Sequence, residues 1–269
     1  MTSIIPGFRA IVPAGGAGTR LWPLSRRERP KFLLDILGSG RSLIQATWDR
    51  LAPLTGPGGI AVVTGRAHAA AVRGQLPEAA EVMAEPSPRD SMAAIGLAAA
   101  VLAERESDVV VGSFAADHVI AGLGEFNRSV RAAVEAAREG FVATIGIAPT
   151  RPSTAFGYIR VGRPLGERAA GACHARAFTE KPDAATAARY LATGQYRWNA
   201  GMFIARASVL LDALADSKPE LAAGLRAIAA AWDTERREAV LAQRWPALER
   251  IAIDHAVAEP LAAAGGIAV

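Results

Sequence analysis

The sequence predicts an α/β fold: a mostly parallel sheet doubly wound with helices, with antiparallel strands added late and a helical C-terminal section. Three observations predict it. Short β-rich runs alternate with helical ones as far as Ile147. A glycine-rich turn follows the first of these runs directly. After Thr150 the strands come without long helices between them, before an almost wholly helical stretch over residues 207–264. Strand–helix alternation points to parallel pairing because each parallel return needs a crossover, and the crossover helix covers a face of the sheet.

The elements follow in order. Residues 8–13 (FRAIVP) read as the first strand and residues 14–20 as the glycine turn. Residues 42–54 carry apolar side chains at helical spacing, 60–64 form a strand, 66–76 a helix and 81–84 a short strand. Residues 91–105 form an alanine-rich helix that is apolar nearly all round and so is expected to be buried. Residues 109–114 read as a buried strand, 125–138 as an amphipathic helix and 141–147 as a strand. Residues 156–162, 175–179 and 198–205 read as further strands over the carboxyl edge of the sheet, and Pro219 and Pro246 break the last helical section. No repeat or linker interrupts the chain, so residues 1–269 are expected to form one domain, Rossmann-like in its sheet.

Composition narrows the function. Half of the 269 residues are hydrophobic (51%), ample for a core. The apolar run at 93–103 is far shorter than the roughly 20 residues of a membrane span. Pro6 and Arg9 interrupt the N-terminal segment, which has no basic start before an apolar stretch, so no secretory signal is expected. One cysteine, Cys173, allows no internal disulfide, and the histidines at 68, 118, 174 and 255 show no zinc spacing. A cytoplasmic protein without membrane partners is the expectation. The formal charge is +4, but no basic run exceeds two residues and aromatics do not interleave with the charges, so no nucleic-acid partner is expected. Only Lys31, Lys181 and Lys218 are lysines among 30 basic residues. Lys31 and Lys181 each flank a proline in a short motif and read as chosen for the compact charge of an ammonium.

The turn AGGAGTR lies where open α/β sheets bind ligands, just past a strand's carboxyl end. Its glycines allow close backbone approach to an anion. Leu21 stands where a dinucleotide fingerprint needs its third glycine, and no P-loop string is present. Arg20 lies on the turn and Lys31 follows eleven residues later; a forked guanidinium with a mobile ammonium suits a polyphosphate. Asp117 follows the 109–114 strand at the same sheet edge and fits a Mg²⁺ ligand, since that ion takes one or two carboxylates with phosphate oxygens and water. Taken alone it would read as a turn or cap residue. Glu180-Lys181 and the WNAGMF string at 198–203 bring a carboxylate, an ammonium and a short polar side chain near one another in sequence, with Gly201 allowing close backbone approach. Taken alone these read as a surface ion pair and a core strand.

GGAGTRLWPLS followed by RPKF resembles the signature of the sugar-1-phosphate nucleotidyltransferases, and in particular the mannose-1-phosphate guanylyltransferase branch, where Trp-Pro is typical. The resemblance implies nucleotide binding by Ala14, Gly15, Gly16, Gly18, Thr19, Arg20 and Lys31, with Arg20, Lys31 and Asp117 as the catalytic set and Asp117 as the metal ligand. His118 is expected to be a structural neighbour. Sugar-phosphate binding falls to Gly157 and Tyr158 in TAFGYI, to Glu180 and Lys181 in FTEKP, and to Asn199 and Gly201, with Ala200 where a serine is common. Glu85, in EPSPRDS with Arg89 and Ser91 as further nucleotide contacts, is the candidate for guanine, whose N1–H and N2–H₂ one carboxylate can accept. A helix N-terminus capped by Asp90 or Ser91 is the other reading of that string.

The implied reaction converts GTP and mannose 1-phosphate to GDP-mannose and pyrophosphate, with Mg²⁺ as cofactor; the assembly is open between monomer and homodimer. The resemblance also implies a strand and a second metal-ligand aspartate beyond Val269, so either the chain is a truncation or its metal site is incomplete, and turnover is expected to be reduced. The alternatives are another sugar 1-phosphate or nucleotide, or a non-catalytic GDP-mannose-binding regulatory subunit.

Overall fold

The computed structural model describes residues 3–16, 21–79 and 81–269. Strands β1 (Phe8–Ala14), β2 (Ile60–Gly65), β3 (Glu81–Glu85) and β4 (Val110–Ser113) pair in parallel in the order β3-β2-β1-β4. Their returns run through α1 (Leu43–Thr55), α2 (Ala69–Gln75) and α3 (Asp90–Arg105). Helix α1 starts on a reciprocal cap: Ser42 accepts from the Gln45 N–H while the Gln45 side chain accepts from the Ser42 N–H. Helix α3 buries every residue from Met92 to Val101 against the sheet and the C-terminal helices.

The second half adds α4 (Leu123–Arg138), β5 (Val142–Ile147), β6 (Tyr158–Pro164), β7 (Cys173–Thr179), α5 (Ala184–Thr193) and β8 (Tyr196–Arg206). Helices α6 (Ala207–Ser217), α7 (Pro219–Ala231) and α8 (Arg237–Arg244) follow, then a π-helical turn (Asp254–Ala258), α9 (Glu259–Ala263) and β9 (Ile267–Ala268). Alternate side chains of β1 show the two layers. Ile11 joins a core with α3, α6 and α7, while Ala10 and Val12 join a second core with α1 and α4 on the opposite face.

Three expectations are corrected. The sheet is mixed rather than mostly parallel: beyond β4 the order is β8-β5-β9-β7-β6, with β8 inserted antiparallel between β4 and β5, β6 and β7 antiparallel as expected of the late strands, and only β9 parallel, to β5. Alternation in sequence reports crossovers, not which strand slides between two others. Helix α5 is an addition to the predicted elements; Asp183 caps it by accepting from the Thr186 N–H, and it buries only Ala187. Pro219 opens α7 rather than breaking a helix, since the first helical position needs no N–H partner. The described residues end in a short strand, β9, which pairs in parallel with β5 and closes on β7. No described helix is long and apolar enough to cross a membrane.

Candidate active site

Backbone bonds bring the first strand's end and Asp117 together. The Phe114 N–H donates to the Ile11 carbonyl at 2.9 Å and the Ala116 N–H to the Pro13 carbonyl at 3.1 Å, so the segment after β4 runs alongside β1 into the glycine turn. Lys31 opens a short 3₁₀ turn anchored by buried Phe32 and Leu33, and its Nζ donates to Asp117 Oδ2 at 3.1 Å. This pair stands between two cavities. One, of about 510 Å³, is lined by Ala14, Gly15, Gly16, Glu85, Arg89, Ser91 and Arg250. The other, of about 850 Å³, is lined by His118, Phe126, Arg151, Trp198, Asn199 and Ala200 among others. Lys31 and Asp117 line both. Gly18, Thr19 and Arg20 lie outside the described residues.

Glu85 is the most telling side chain of the smaller cavity. It is 5% exposed, its Oε1 has no hydrogen-bond partner, and burial pushes its pKa up to about 7. A Cβ added at Gly15 would lie 3.5 Å from Glu85 Oε2, so the glycine turn passes directly over the carboxylate. Arg89 is tied to the Pro246 carbonyl at 2.6 Å, and its buried Nε has no partner. The Asp90 or Ser91 cap is corrected: the N-cap of α3 is Arg89, which makes no side-chain cap bond. Asp90 adopts φ +66° and accepts from the Ser91 N–H, while Ser91 Oγ accepts from the Ile253 N–H at 3.0 Å. The first turn of α3, with no side-chain cap bond, therefore borders the cavity; helix N-termini favour anions.

The residues assigned to a sugar phosphate converge around Asn199. The Asn199 N–H donates to the Gly157 carbonyl at 2.8 Å, and a Cβ at Gly157 would meet Glu180 Oε2 at 2.5 Å, so any side chain there would displace the Glu180 carboxylate. Glu180, its side chain 14% exposed, pairs with Lys181 Nζ at 2.7 Å. Lys181 has φ +45°, a sparsely populated conformation of the kind that collects at functional sites. The register between β8 and β5 shifts between the Thr144–Phe203 and Gly146–Asn199 pairs, and in the resulting bulge Gly201 takes φ +67°. Tyr158 is fully buried beneath α5, and its hydroxyl accepts from the Ser153 N–H at 2.9 Å, so its side chain braces the loop before Gly157. Gly157, Glu180, Lys181 and Gly201 line neither cavity; their link to the larger one is Asn199.

Sequence reasoning missed two residues here, Asp254 and Arg250. Asn199 Nδ2 donates to Asp254 Oδ1 at 2.8 Å, while Asn199 Oδ1 accepts from Thr144 Oγ1 at 2.8 Å and from the Gly201 N–H at 3.0 Å. The Asn199 carboxamide is thus fixed by the protein itself. Burial and the nearby Glu180 charge raise the pKa of Asp254. Arg250, on the wall of the smaller cavity, is a lone arginine with no motif around it. Burial, with Arg50 and Lys31, lowers the pKa of His118 against the pull of Asp117.

The fold and this site define a class. Residues 9–245 match the family described as Nucleotidyl transferase, and the chain belongs to that family. Within it, the chain is 38% identical over 243 residues to the xanthan biosynthesis protein XanB of Xanthomonas campestris pv. campestris, covering 89% of this chain and 49% of that protein. It is 40% identical over 220 residues to the mannose-1-phosphate guanylyltransferase RfbM of Salmonella typhimurium, covering 80% of this chain and 45% of that one. The chain spans about half the length of these curated relatives. A crystal structure described as a mannose-1-phosphate geranyltransferase from Thermus thermophilus superposes with a TM-score of 0.86 at 32% identity, over 98% of this chain and 73% of that one.

Proposed function

We propose that the chain transfers a guanylyl group from GTP to mannose 1-phosphate, giving GDP-mannose and pyrophosphate. The observation that carries this reading is the Lys31–Asp117 pair, which is the common wall of two cavities, one of which ends on a buried carboxylate with an unpartnered oxygen. A guanine edge offers Glu85 the two N–H donors that the protein does not. In this reading the β3-β2-β1-β4 half serves as a Rossmann-like nucleotide frame, and the names of the relatives support mannose as the sugar.

A phosphate oxygen of the sugar 1-phosphate attacks the α-phosphorus of GTP in line. The new P–O bond forms as the bond to the β-phosphate oxygen breaks, and pyrophosphate leaves with the electron pair. The attacking oxygen is already ionised, so neither a general base nor a protein nucleophile is required. The protein's part is positioning and charge neutralisation. Lys31 holds phosphate oxygens at the junction, Glu85 and Arg89 fix the nucleotide end, and Lys181 steers the incoming phosphate while Glu180 accepts sugar hydroxyls.

The donor set fits Mg²⁺ in a limited way. The described residues hold no cluster of three metal-ligating side chains, but Asp117 supplies one carboxylate beside a phosphate-binding lysine, and Mg²⁺ commonly binds through one carboxylate, substrate phosphates and water. Mg²⁺ bound there would offset the phosphate charge. The test is a matrix of four nucleoside triphosphates against mannose and glucose 1-phosphates, read as pyrophosphate release with and without a chelator. Preference for GTP with mannose 1-phosphate supports the reading. Preference for another pair replaces the substrates, and nucleotide binding without any release points to a regulatory subunit.

A further inference from the structure

Arg50, in α1, is 8% exposed and is the only arginine among the described residues that is buried. A buried guanidinium ordinarily has a carboxylate against it, because an unpaired charge is costly to take out of water. Arg50 makes no ion pair among the described residues. Its Nη2 donates to Thr47 Oγ1 at 3.0 Å and, at the limit of hydrogen bonding, to the His118 carbonyl at 3.4 Å. Its Nε has no partner, and the guanidinium lies 5.5 Å from the centre of the Phe126 ring. Burial lowers its pKa, yet a guanidinium stays protonated throughout the physiological range.

The location gives this charge a use. The His118 carbonyl belongs to the residue directly after Asp117, and His118 and Phe126 both line the larger cavity. At the junction Lys31 and Asp117 offset one another, so Arg50 leaves the wall behind them with a net positive charge. We propose that Arg50 is a positioning residue for the phosphate junction: it holds the segment that presents Asp117 and supplies a standing positive charge that an incoming polyphosphate balances. This rests on reading the junction as a phosphate site. Arg50 itself touches no substrate, and it trades fold stability for affinity toward anions.

That trade is what the test reads. Titration calorimetry on the full chain measures affinity for GTP with Mg²⁺ and for inorganic pyrophosphate in the wild type, Arg50→Met and Arg50→Lys, alongside melting temperatures. The proposal predicts that Arg50→Met weakens both ligands at least tenfold while its Tm stays equal or rises, and that Arg50→Lys recovers most of the lost affinity. A structural role alone predicts a lower Tm with affinity unchanged in the folded protein. That result, wild-type affinity in Arg50→Met, or failure of Arg50→Met to fold each overturns the proposal. Should the wild type bind neither ligand, the phosphate-site reading falls and this inference with it; should wild type and Arg50→Met bind equally, only the inference falls.

Discussion

Replacing Glu85 with glutamine separates what this carboxylate costs the fold from what it gives the ligand. Its pKa rises from the ordinary 4.5 to about 7 because it is buried with one oxygen unpartnered. At about 1.4 kcal/mol per pH unit, keeping it ionised costs the folded protein about 3 kcal/mol above pH 7. The folded state holds this proton more tightly than the unfolded chain does. The penalty is therefore absent below pH 4.5, grows between pH 4.5 and 7, and is complete beyond 7. Glutamine fills nearly the same volume and cannot ionise. Urea unfolding should find Glu85→Gln more stable than the wild type by up to about 3 kcal/mol at pH 8 and little changed at pH 4.5. The same variant should bind GTP roughly tenfold to a hundredfold more weakly, because a carboxamide presents one acceptor and one donor to a guanine edge that offers two donors. In the wild type below pH 7, GTP should expel a proton on binding, visible as a heat that varies with the buffer's ionisation enthalpy. A Glu85→Gln variant with unchanged stability at pH 8 and unchanged GTP affinity would refute the assignment.

Further expectations concern the junction and the sugar side. Lys31→Ala and Asp117→Asn should each slow pyrophosphate release by two or more orders of magnitude, roughly 3 kcal/mol of barrier; a wild-type rate in Asp117→Asn removes the metal assignment. Gly157→Ala, whose new methyl would stand 2.5 Å from Glu180 Oε2, should raise KM for mannose 1-phosphate while GTP affinity holds. Asp254→Asn keeps an oxygen for Asn199 Nδ2 and should leave that KM near wild type, whereas Asp254→Ala frees the carboxamide and should raise it several-fold; equal values in the two variants would show that Asp254 does not act through Asn199.

The parts of the molecule that the sequence makes legible are those where a local pattern has a local cause. The parallel half reads clearly because each of its strands is followed by a helix, and the glycine turn reads clearly because Lys31 and Asp117 close on it. The place of antiparallel β8 between β4 and β5 is not legible, because it depends on partners far along the chain. Tyr158 resembles a ligand by its position beside Gly157, yet in strand alternation the neighbour of a glycine at the site points the other way, into the core under α5. Asp254 and Arg50 carry no motif: one is a lone acid opening a π-helical turn, the other a lone arginine in an ordinary helix. Their significance comes only from what packs against them, Asn199 in one case and the His118 carbonyl in the other.

The position of the nucleotide's phosphates is decisive, and a crystal structure with GDP-mannose reports it most directly. The expected complex has guanine against Glu85 in the smaller cavity, the diphosphate at Lys31 and Asp117, and the mannosyl group toward Asn199 and Glu180. A nucleotide bound anywhere else, with Lys31 and Asp117 still paired only to each other, contradicts it.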